Sequence, residues 1–156
     1  MRVLVAGIGN IFLGDDGFGP AVVRALPPPG SPGVRVTDYG IRGMHLAYDL
    51  LGDWDALLLV DALPNRGAPG RVEVLRVDPD AESGSYVDAH AMDPEAMFAT
   101  VRALGGTLPA TTLVVGCQAE SVAEGIGLTD TVAAAVPVAA AAVGSILGDL
   151  LDRQEV

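Results

Sequence analysis

Ala56-Leu57-Leu58-Leu59-Val60-Asp61 is a run of five apolar residues that ends directly on an acid. A strand with one face on a core alternates apolar and polar residues. One that is apolar at every position is covered on both faces, as a central strand of a parallel sheet is. Working outward, shorter apolar runs at residues 2–7, 34–38, 71–77 and 113–117 read as four further strands. Helical stretches at 17–25, 43–51, 94–104 and 130–151 separate them. This alternation predicts an α/β fold: a mainly parallel sheet covered by helices. The third helix carries clear punctuation, with Asp93 as cap, Pro94 at the first turn and Gly105-Gly106 after the last. Thr129 is the expected cap of the fourth. The proline-rich stretch at 27–33 is a stiff connector, because too little chain precedes it to fold alone. The 156 residues therefore read as a single domain, 1–156, long enough for a full core.

Composition narrows the function. Nine basic residues, all arginine, face 20 acidic ones, a net charge of −11 that would repel nucleic acid and anionic membranes alike. Cys117 is the single cysteine, so neither an internal disulfide nor a cysteine-built zinc site is available. The run from Thr131 to Gly148 holds 18 residues without a charge. It is mostly alanine, with Pro137 and Gly144, and its larger groups recur at helical spacing, so it reads as a packed amphipathic helix and not a membrane span. The N-terminal apolar run is too short for a signal-peptide core. These points predict a cytoplasmic protein with no membrane or nucleic-acid partner.

In a parallel sheet the connections leaving the carboxyl ends of the strands gather at one edge, where ligands bind. In chain order that edge receives Asn10 and Asp15-Asp16, then Asp38, Asp61, Asp88 with His90, and finally Gln118 and Glu120. The turn from Gly7 to Gly19 matches neither nucleotide motif. Phe12 stands where the dinucleotide fingerprint needs its third glycine, and Asp15-Asp16 follow Gly14 where a phosphate loop needs Lys and a hydroxyl. Helix capping accounts for Asp15, and for Asp16 taken alone. It does not account for Asp61, whose charge at the end of an apolar strand requires a metal, a cation or hydrogen-bond donors. His90, just ahead of a helix, is by itself an ordinary loop histidine. With Asp16 and Asp61 it forms a mixed oxygen and nitrogen set suited to Zn, Ni, Co or Mn. His45 reads as a surface or helix-packing residue and Cys117 as a core thiol. No Gly-x-Ser-x-Gly elbow or His-Glu-x-x-His helix occurs.

Gly7-x-Gly9-Asn10 continuing to Asp15-Asp16-Gly17-x-Gly19 resembles the opening motif of the hydrogenase maturation proteases. Leu57 to Ala62 is similar to that family's strand ending in an acidic ligand, and Asp88-Ala89-His90 to its histidine loop. Val114 to Gln118 and Gly127 to Val136 resemble its last strand and C-terminal helix. The resemblance implies a twisted, mainly parallel five-stranded sheet sandwiched by helices. It implies an endopeptidase that removes the C-terminal extension of the nickel-iron hydrogenase large-subunit precursor. Asp16, Asp61 and His90 would reach nickel carried by that substrate, as metal-contacting and catalytic residues. Zn or another divalent ion would fit the same donors in vitro, weakly, because three ligands make an incomplete cage. The family's Asp-Gly-Gly-Thr-x-Gly loop is replaced by Asp38-Tyr39-Gly40-Ile41-Arg42-Gly43, which makes Asp38, Gly40 and Arg42 the expected substrate-binding positions. Arg42 would either pair with Asp38 or meet a carboxylate on the substrate tail. A chaperone-like factor that holds the nickel-loaded precursor without cutting it is the alternative, and a small-molecule metallohydrolase the third. A monomer is expected.

Overall fold

The computed structural model describes residues 1–78 and 94–154, and the structural statements below concern those residues. The apolar run quoted above is the centre of the molecule. In chain order the strands are β1 (Val3–Ile8), β2 (Val34–Gly40), β3 (Ala56–Leu63), β4 (Val72–Arg76) and β5 (Thr111–Gln118). The helices are α1 (Phe18–Ala25), α2 (Gly43–Asp49), α3 (Pro94–Ala103), α4 (Asp130–Ala133) and α5 (Val136–Gln154), with a 3-10 turn at Gly14–Gly17. The sheet order is β2-β1-β3-β5-β4. β1, β2, β3 and β5 are parallel, and β4 runs antiparallel along the edge. The mainly parallel, helix-covered α/β sheet expected from the sequence is the fold observed.

Strand alternation divides the core in two. Leu4, Ala6, Ile8, Leu57, Leu59 and Leu63 face α2 and α3, meeting Leu46, Leu50, Phe98 and Val101. Val3, Val5, Leu58 and Val60 face the other way, onto Phe18 and Val22 of α1 and Val132, Ala139 and Val143 of the C-terminal helices. Burial on both faces is why β3 needs no polar residue before Asp61.

Most element ends lie one to three residues from the expected ones, and three differences bear on the architecture. β3 continues two residues past Asp61 to Leu63, so the acid sits within the strand, opposite Gly116 of β5. β4 is shorter by a residue at each end. The last helix is broken between α4 and α5, because Pro137 has no N–H to donate and its ring crowds the carbonyl one turn back. The helical segment 130–153 is long and apolar enough to cross a membrane by length and composition alone, with an 18-residue window of mean hydropathy 1.9. Here its Val132, Ala135, Ala139, Val143 and Leu150 are buried against the sheet. Thr129 caps α4 as expected, its Oγ1 accepting from the Val132 N–H.

Candidate active site

The glycines of the first turn serve close packing. Gly9 has φ +143°, and a Cβ there would lie 1.9 Å from the carbonyl oxygen of Asp16. A Cβ on Gly19 would lie 2.3 Å from the Val60 oxygen and 2.4 Å from that of Ile8. The start of α1 thus rests directly on the ends of β1 and β3, and this contact carries Asp16 to the edge where β3 presents Asp61. Gly9→Ala and Gly19→Ala are each expected to cost more than about 3 kcal/mol, read as a fall in the denaturant midpoint, since backbone and not a flexible side chain must move.

Both acids are buried, Asp16 at 2% and Asp61 at 1% exposure. The Asn10 N–H donates to Asp16 Oδ2 at 2.9 Å, and the Ala62 N–H donates to Asp61 Oδ1 at 2.8 Å. Backbone donors therefore orient each carboxylate. β1 and β3 are adjacent and parallel, with Gly7 level with Val60, so their carboxyl ends lie side by side. Alternation places Asp61 on the sheet face covered by α2 and α3. His90 and Asp88 lie outside the described residues. Among the described residues no three His, Cys, Asp or Glu side chains come together as a metal-binding group.

Beside this edge is a cleft of about 430 Å³, lined by Gly9 to Phe12, Arg24 and residues 38–42. All three positions expected to bind substrate, Asp38, Gly40 and Arg42, line it. The two alternatives for Arg42 are resolved against an ion pair with Asp38. Asp38 Oδ2 pairs with Arg24 at 3.1 Å, and its Oδ1 accepts from the Gly40 N–H. Arg42 instead donates through Nε to the Tyr39 carbonyl and through Nη2 to the Asp38 carbonyl, at 3.2 and 2.9 Å.

Two residues have roles that sequence reasoning missed. Asp15 makes no capping bond to its own turn or to α1. Fully buried, it accepts from the backbone N–H groups of Glu120, Ser121 and Thr129 and from the Thr129 hydroxyl, holding the β5–α4 loop against the first turn. Gln118, expected only as a polar residue of the edge, accepts through Oε1 from the N–H groups of Arg66 and Ala68 and braces the loop after β3. Nothing local in the sequence signals either contact, because the partners lie 50 to 114 residues away.

The family model described as hydrogenase maturation protease matches residues 21–146. The chain belongs to the hydrogenase maturation protease family. It is 33% identical over 142 residues to the hydrogenase 2 maturation protease of Escherichia coli K12, covering 87% of this chain and 84% of the relative. The solved hydrogenase maturating endopeptidase HybD from Escherichia coli superposes with a TM-score of 0.78 at 31% identity, over 96% of this chain and 93% of that one. A hydrogenase 2 maturation peptidase from a Thaumarchaeota archaeon does so with a TM-score of 0.71 at 29% identity, over 95% and 99%.

As a peptidase the protein does not need its cysteine as a nucleophile. Cys117 is buried, and burial, followed by the charge of Asp15, pushes its thiol up to about 11 from an ordinary 9.0. The thiolate that would attack a peptide is therefore scarce at neutral pH. The same shift predicts a stability change. Above pH 9 the unfolded chain releases a proton that the folded chain keeps, so stability is full below pH 9 and falls as pH rises toward 11. The loss from this group is roughly 2–3 kcal/mol. Urea midpoints across this range should show it. Cys117→Ala should flatten the slope, leaving the part due to Tyr39, whose hydroxyl is also raised by burial and by its bond to Asp49. His45 is exposed, 4.0 Å from Asp49 on the same helix, a surface residue as expected.

Proposed function

We propose that this protease removes the C-terminal extension of a nickel-loaded hydrogenase large-subunit precursor, acting in the cytoplasm as a monomer. The observation that carries the reading is the pair of buried carboxylates, Asp16 and Asp61, presented at one sheet edge beside an open cleft. Burying two acids a few residues from apolar core is costly unless a cation or donors meet them, and each has a backbone donor on one oxygen. Hard carboxylate oxygens with the imidazole of His90 as third donor suit nickel, and in vitro zinc or another divalent ion. The nickel arrives with the substrate, so Asp16, Asp61 and His90 position the precursor's metal centre. The tail then lies in the cleft along Asp38, Gly40 and Arg42. Three donors hold a metal weakly without the substrate's own ligands.

The test is intact-mass analysis of a large-subunit precursor incubated with the protease, with nickel and without. Loss of one defined C-terminal fragment only with nickel is the expected result, and its mass gives the cut site. A stable complex with an uncut tail would make the protein a binding factor. Cutting that ignores nickel would leave the metal without a role in recognition. The His90→Ala chain is expected to leave the precursor uncut.

A further inference from the structure

α2 is apolar on two faces. Its inward side chains Leu46 and Ala47, with Leu50 just beyond, are buried in the core. Outward, Ile41, Met44, Tyr48 and Leu51 follow at helical spacing with exposures of 64, 56, 57 and 42%. Between its polar residues His45 and Asp49 the helix carries this second apolar stripe, and a contiguous exposed apolar stripe marks an interaction surface. This stripe starts inside the cleft, since Ile41 lines it, and Phe12, 60% exposed, stands in the same lining. Arg42 sits at the junction. Two backbone carbonyls fix its guanidinium, and among the described residues no carboxylate pairs with it, while Asp38 is taken by Arg24. A fixed, uncompensated cation is conspicuous on a chain with net charge −11.

We infer that the outer face of α2 is the docking surface for the body of the protein substrate whose tail enters the cleft. The substrate meets it with apolar side chains and with one acidic group placed against Arg42. The inference rests on the endopeptidase reading for the occupant, and on two observations for the place: the stripe is continuous with the cleft, and its one free charge is positive. Burial of the exposed apolar groups supplies attraction, and Arg42 sets the register of the acidic group.

The test compares the wild-type chain with Met44→Glu/Tyr48→Glu and with Arg42→Glu on nickel-loaded precursor. KM is expected to rise at least tenfold in both variants, and the Met44→Glu/Tyr48→Glu variant should keep kcat within about twofold and its melting temperature unchanged. In Arg42→Glu the salt dependence of KM should also flatten. Unchanged KM in the double variant would overturn the inference. So would a wild-type dimer that the double variant turns monomeric at wild-type KM, since the occupant would then be a second copy. If the wild-type chain binds precursor without cutting it, the endopeptidase reading fails on its own. The docking surface is then judged by whether the dissociation constant rises tenfold in the double variant.

Discussion

Asp15→Ala is expected to destabilise the protein by about 3–5 kcal/mol, among the largest effects of any single side chain here. The carboxylate is 0% exposed and accepts from three backbone N–H groups, those of Glu120, Ser121 and Thr129, at 2.9, 3.0 and 2.7 Å. Removing it strands those donors where they have no other acceptor of the same charge. An unsatisfied buried donor costs about 1–3 kcal/mol, and the contributions are less than additive because the loop relaxes and water enters. Thr129 also loses the acceptor for its hydroxyl while remaining the cap of α4. In a chain of this size the loss corresponds to roughly 10 °C in melting temperature. Calorimetry would measure it, and a change under about 1 kcal/mol would mean that the carboxylate does not hold the β5–α4 loop.

The neighbouring acid is expected to behave in the opposite way. Asp16→Asn and Asp61→Asn keep the shape of the side chain and an oxygen for the Asn10 and Ala62 N–H groups, so the fold should survive within about 1 kcal/mol. Cleavage of the nickel-loaded precursor should nonetheless fall at least about 100-fold, because each amide lacks the negative charge that binds a metal and accepts a proton. A variant that folds normally and cuts at the wild-type rate would remove that residue from the site. The contrast between adjacent residues is the sharper result: Asp15 should cost stability and Asp16 activity.

Much of this was legible in local pattern. The five apolar residues before Asp61 require cover on both faces, and that places β3 centrally whatever surrounds it. The parallel arrangement then sends the acids at or beyond the carboxyl ends of β1 and β3 to one edge, so Asp16 and Asp61 could be named together. Other features had no local trace. Asp15 and Asp16 are the same residue type in consecutive positions, and hydrophobic periodicity does not distinguish them. Arg42 could be paired from the sequence with Asp38 or with a carboxylate on the substrate tail, and the structure gives it two backbone carbonyls while Arg24, near the end of α1, pairs with Asp38.

By itself the sequence determined the α/β class, the central strand, the edge that gathers the acids and the family, since these rest on periodicity, strand order and short motifs. Only the tertiary structure decided that β4 closes the edge antiparallel, that Asp15 ties the β5–α4 loop, and that the α2 face stands exposed beside the cleft. The physical reason is separation. Periodicity records which face of an element is covered, whereas the partner of a buried carboxylate 105 to 114 residues distant is chosen by how the covered elements pack.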